Sequence, residues 1–209
     1  MSEIRIETVE DPFTDPRVAR SASVLLGRAD TMGLLGDLGP ISRLDAPLMA
    51  AVLQHLGKVG LMQRAVTQGS LTRLPNDAGS IAELLRDANT ALEDSPLPPQ
   101  EWPALRAILG DALLARLCGI SEVSLRRYAA GTRSTPDPVA QRLHTLALIV
   151  SDLRGAYNDY GIRRWFQRPR AQLDGHAPED LLPPGWTPDN PRVSQLRELA
   201  GALIGSPAT

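Results

Sequence analysis

The chain has one lysine, Lys58, and one cysteine, Cys118. A single thiol excludes an intrachain disulfide, so packing must carry the fold, and it fits a reducing compartment. No run approaches the roughly 20 apolar residues that a membrane helix needs. The opening Met1-Ser2-Glu3-Ile4-Arg5 lacks the basic start and apolar stretch of a signal peptide. A cytoplasmic protein without a membrane partner is expected. Catalytic signatures are missing too: no P-loop, no Gly-x-Ser-x-Gly elbow, no zinc spacing. Gly33, Gly36 and Gly39 are wrongly spaced for a dinucleotide loop and follow no strand; His55, His144 and His176 stand alone. No metal and no cofactor is expected, and the chain is not expected to be an enzyme.

What is present is ordinary for a globular protein: 43% hydrophobic and 22% charged residues over 209 positions, enough for one or two domains with a real core. The other basic residues are all arginine; with abundant Ala, Leu and Pro, this reflects GC-rich coding more than function. The formal net charge of −2 argues against nucleic acid, but its distribution does not. Residues 1–100 carry net −4, residues 101–177 net +4 and residues 178–209 net −2. A basic centre between acidic flanks is what local phosphate contact requires, although solvated surface charge gives the same pattern.

Hydrophobic spacing reads all-α after the first few residues. Ile4, Ile6 and Thr8-Val9 alternate with polar residues and suggest one short strand or an extended arm. A helical pattern starts at Asp15. Leu48, Met49, Val52, Leu53, Leu56, Met62 and Val66 make an amphipathic helix over 46–68, interrupted by Gly57 and Gly60. Ser80 and Glu83 have capping-box spacing ahead of a helix to Glu93. Ser95-Pro96-Leu97-Pro98-Pro99 then breaks the chain, and a domain boundary is placed there. Helices are expected from about Gln100 to Leu109, from Asp111 to Leu117, and from Ser121 to about Ala130. A long helix opens at Asp137, read as the N-cap, with Pro138 first in the helix; its apolar face is Val139, Leu143, Leu146, Val150 and Leu153. Two more are expected near 160–168 and 190–204.

Asp111 to Ala130 is the most informative stretch. Ala115 is small where two short helices would cross, Gly119 suits a turn of positive φ, and Ser121 suits a cap. Leu114, Cys118, Ile120, Leu125 and Tyr128 fall inward, so Cys118 reads as a small buried hydrophobe. Ser121, Glu122, Val123, Arg126 and Arg127 remain outward. The stretch resembles the helix-turn-helix of Xre-like regulators, in which the second helix enters the major groove. Arginine can read guanine, Ser121 can hold phosphate, and Glu122 is out of place on DNA unless it accepts from cytosine N4. Arg133 and Ser134, just beyond, suit backbone contacts. A helical hairpin that does not touch DNA has the same spacing.

A second pattern follows: Trp165-Phe166, then Leu173-x-Gly175-x-x-Pro178-x-Asp180-Leu181-Leu182, then Val193, Leu196, Leu199 and Leu203 at helical spacing. It resembles the toxin-binding domain of Xre/MbcA/ParS-like antitoxins, although the loop Pro183–Pro188 is longer than usual. The resemblance covers residues 101–205. It implies a type II antitoxin, usually a homodimer, that binds and neutralises a cognate toxin, often a NAD-consuming RES-domain enzyme, and represses its own operon by binding operator DNA. The partner-binding set would be Arg163, Arg164, Trp165, Arg168, Arg170 and His176. Trp165 suits a core better than a contact, and the arginines equally suit a solvated face. The expected organisation is a helical region 1–100 of unassigned role, a helix-turn-helix domain 101–155 and a toxin-binding domain 156–209. A stand-alone transcriptional regulator is the alternative.

Overall fold

Aspartate caps decide where the first helices start. In the computed structural model, which describes residues 4–62, 74, 75 and 77–203, the Asp15 carboxylate accepts from the Arg17 N–H and opens α1 (Pro16–Thr31). Asp45 accepts from the Leu48 N–H and opens α2 (Ala46–Lys58). Asp77 accepts from the Ser80 N–H at 2.8 Å and opens α3 (Ala78–Glu93). Each cap satisfies one of the backbone donors that a helix start leaves without a partner. The expected Ser80 cap is therefore corrected: Ser80 lies inside the first turn and Asp77 does the capping. The helix expected to continue to residue 68 ends at Lys58, because Gly60 takes φ +89°; the expected position of Val66 lies outside the described residues.

The protein is mostly helical, and its described residues divide into two compact units, Met1–Ser95 and Pro96–Thr209. In the first unit, α1 packs along α3. Val18, Ala22, Leu25 and Ala29 of α1 and Ile81, Leu85, Ala88 and Leu92 of α3 are buried, at the three- and four-residue spacing of one helix face. Asn89 pins the pair through a 3.0 Å bond to the Ser21 carbonyl. The expected N-terminal arm is a paired strand, β1 (Ile4–Val9), parallel to β2 (Ile41–Leu44), with Thr8 opposite Arg43 and Val9 opposite Leu44. Only Ile41 and Leu44 of β2 are buried, so this strand has no alternating pattern to betray it.

In the second unit, α4 (Pro98–Leu109) is the shared support. It packs against α5 (Asp111–Cys118), α6 (Glu122–Ala129), α7 (Asp137–Arg154) and α8 (Asp159–Gln167). The last helix, α9 (Pro191–Gly201), packs on α7. A boundary at residue 100 would cut the first turn of α4, and residues 101–155 and 156–209 lie together within this one unit. Asp137 does not cap α7: Pro136 holds the cap position and Asp137 is the first helical residue. Almost every position of α7 from Val139 to Val150 is buried, the mark of a central helix.

The central packing includes a buried carboxyl–imidazole contact. Glu101 of α4 is fully buried and its Oε1 lies 2.5 Å from Nδ1 of His144 on α7, while its Oε2 has no hydrogen-bond partner. Burial pushes the Glu101 carboxyl above its ordinary range, opposed by the His144 contact. Trp186, in the long loop noted in the sequence, is 4% exposed, donates to the Leu117 carbonyl at 2.7 Å and accepts from Arg142 at 3.3 Å. That loop runs so close to the end of α5 that a Cβ on Gly119 would lie 3.2 Å from the backbone of Pro184 and Gly185. Gly119 is thus constrained twice, by this approach and by φ +66°.

Candidate nucleic-acid and partner surfaces

Two helices and a three-residue turn present the first surface. Leu114, Cys118, Leu125 and Tyr128 are buried between α5 and α6 and their neighbours, and Ala115 is 2% exposed. Burial pushes the Cys118 thiol up to about 12, which leaves it a protonated hydrophobe at neutral pH. Ile120 is only half-buried. Ser121 caps α6, accepting from the Ser124 N–H at 3.2 Å. The α6 face turned to solvent consists of Ser121, Glu122, Val123, Arg126 and Arg127, with Val123 55% exposed. Arg126 is engaged on this face: one guanidinium nitrogen meets Glu122 at 3.0 Å and another meets Asp111 at 3.6 Å. Asp111 is itself held by Arg106 at 2.7 Å, and that guanidinium keeps its carboxyl below the usual range.

Beyond α6 the chain is anchored by aromatic rings. Trp102 donates to Thr135 at 3.0 Å and stacks on Tyr128, with ring centres 6.0 Å apart. The Arg133 guanidinium lies 5.5 Å from the Tyr128 ring centre, within cation–π range. Arg133 and Ser134 are both exposed beside α6. The residues expected to contact DNA therefore stay together on one surface, and Asp111, Arg106 and Trp102, which spacing alone does not single out, position it.

The partner set does not stay together. Trp165 is 1% exposed, edge-on to Phe166 at 5.1 Å between ring centres, and lies at the floor of the cleft that the arginines line. Arg163 donates to the Ile108 carbonyl at 2.6 Å, tying α8 to the end of α4. His176 is exposed, on a tight turn where Asp174 and Gly175 both take positive φ. Arg164, Arg168 and Arg170 converge on a cleft of about 530 Å³ that Tyr157 and Tyr160 also line. Arg164 lies 5.9 Å from the Tyr160 ring centre and Arg170 4.9 Å from that of Trp165. Burial lowers the Arg170 pKa below its usual range. The two tyrosines are the part of this site that sequence spacing does not reveal.

The remaining residues of the C-terminal pattern have structural roles. Leu173, Leu181 and Leu182 are buried, Pro178 opens a 3-10 turn, Pro178–Leu181, and Asp180 accepts from the Ala177 N–H at 3.0 Å. Among the described residues no cluster of His, Cys, Asp and Glu could hold a metal ion, and no helix is long and apolar enough to cross a membrane. The chain matches no protein-family model, no curated protein and no solved structure.

Proposed function

We propose that the chain is a DNA-binding antitoxin: its helix-turn-helix binds the operator of its own gene as a homodimer, and its C-terminal region binds and neutralises a toxin protein of the RES-domain, NAD-consuming kind. The observation that carries this reading is the α5–α6 pair. Glycine at the turn, serine at the cap and alanine at the crossing leave one solvated face of Ser121, Glu122, Val123, Arg126 and Arg127, the composition that groove contact needs. The resemblance in residues 165–182 supports the toxin-binding half, because each apolar member of that pattern packs inward and leaves Arg164, Arg168 and His176 outward. Chemistry on NAD would belong to the toxin.

The test is a double substitution, Arg126→Ala with Arg127→Ala, measured by mobility shift on the promoter of the chain's own gene. A base-reading arginine contributes about 1–3 kcal/mol, so affinity should fall at least tenfold while the melting temperature holds. Unchanged affinity would remove α6 from the DNA. Expression of the neighbouring gene product alone separates antitoxin from stand-alone regulator: growth arrest relieved by co-expression of this chain supports the former, and a harmless neighbour supports the latter. Deleting the C-terminal region would be uninformative, since Trp186 and α9 cover α5 and α7.

A further inference from the structure

We infer that the cleft formed by Tyr157, Tyr160, Arg164, Arg168 and Arg170 is a binding site for a nucleoside phosphate. The charge balance is the first reason. Arg106, Arg116 and Arg126 of the same unit each face a carboxylate within 3.0 Å. Among the described residues none of the three cleft arginines has an ion-pair partner, and no residue lining the cleft carries a carboxylate. Guanidinium groups that converge without a counter-charge are completed by an anion, and their planar forks suit phosphoryl oxygens.

The second reason is preorganisation. Arg170 lies over the Trp165 ring and Arg164 over the Tyr160 ring, at 4.9 and 5.9 Å from the ring centres, so cation–π contact restrains both guanidinium groups and leaves N–H groups free to donate. Third, the walls are aromatic where aromatic exposure is otherwise rare: Tyr160 is 63% and Tyr157 36% exposed, faces on which a nucleobase can stack. Fourth, 530 Å³ is far more than a bare phosphate fills and lies within the range of about 300–1,000 Å³ typical of small-molecule sites. The lining has no side-chain amide or carboxylate to read a base edge, so the site takes nucleotides by phosphate and ring, with little regard to the base.

The cleft shares Arg164 and Arg168 with the surface proposed for the toxin, but the inference does not require that reading and is tested on the full chain without DNA or toxin. Calorimetric titration at low ionic strength would compare ADP, inorganic phosphate and adenosine. ADP should bind one to one, with phosphate and adenosine each weaker by about tenfold or more. Arg164→Gln with Arg168→Gln should cost about tenfold or more in ADP affinity at an unchanged melting temperature. Tyr160→Ala should weaken ADP more than it weakens phosphate, since it removes a stacking face as well as the ring beside Arg164. No ADP binding in the millimolar range, or equal affinity in the double variant, would overturn the site. Phosphate binding as tightly as ADP would overturn the nucleoside assignment.

Discussion

The two arginine surfaces of the C-terminal unit handle the same side chain in opposite ways. On α6, Arg126 is answered by Glu122 and Asp111, and Asp111 in turn by Arg106, so these four groups cancel in charge and Arg127 adds one positive charge beside them. At the cleft beside α8, Arg164 and Arg170 rest on aromatic rings with no carboxylate among the lining residues. A polyanion that docks on α6 must replace existing ion pairs, which are exposed and individually worth little. A small anion at the cleft meets no carboxylate among the lining residues. The first arrangement favours selectivity between anions, since every competitor meets the same carboxylates; the second favours affinity for a compact charge.

Both surfaces stand on the core that α4 and α7 share, so the comparison can be broken at its base. Glu101→Ala would leave His144 without its carboxylate partner in the core and open a cavity beside it. Removing one side of a buried hydrogen-bonded contact costs about 1–3 kcal/mol, and the cavity adds to it, which makes this the largest effect expected here. The measurement is the denaturant midpoint, with both surfaces failing together as the unit unfolds. A loss below about 1 kcal/mol would mean that the pair is not integral to the core. Next in size is Ala115→Phe. Ala115 is 2% exposed in α5, which packs against α6, and overpacking at a buried alanine costs about 1–3 kcal/mol. DNA binding should fall with stability, while ADP binding at the cleft, below the melting point, should persist. Unaltered melting and DNA binding would contradict the α5–α6 packing.

Features written into short stretches of sequence were legible, and features made by distant residues were not. The turn between α5 and α6 could be placed because Gly119, Ser121 and the inward Leu114, Cys118, Leu125 and Tyr128 all lie within fifteen positions. Cap positions were less secure, since Asp77 and Ser80 both offer an oxygen near the start of α3 and only the backbone decides between them. β2 left no trace because a four-residue strand buried only at its ends has no period. The Glu101–His144 pair joins residues 43 apart and the Trp186–Leu117 bond residues 69 apart; neither has a local signature. The cleft shows the same limit: Tyr157 and Tyr160 lie beside Arg168 and Arg170 in space, a proximity that the spacing of these residues does not announce.

The smallest expected effect bears most directly on the contrast between the surfaces. Glu122→Gln removes one negative charge from the α6 face and leaves Arg126 with Asp111 at 3.6 Å. The Arg126–Glu122 pair is about half exposed on both sides, so its loss should change folding stability by no more than about 0.5 kcal/mol. On DNA the sign is favourable, because a carboxylate near phosphate is repelled and a released guanidinium is attracted. Affinity for the promoter should rise a few-fold at low salt, and the advantage should shrink as salt is added, since screening acts on both terms. This would bring α6 closer to the condition of the cleft: stronger for any anion and less discriminating, visible as a smaller ratio of promoter to random DNA affinity. The opposite result has its own meaning. If Glu122→Gln weakens promoter binding, and replacing one C·G pair in the bound site weakens the unsubstituted chain alone, then Glu122 reads cytosine N4. In that case the carboxylate is a contact in its own right, and the neutral chain on α6 is not a screen against competing anions.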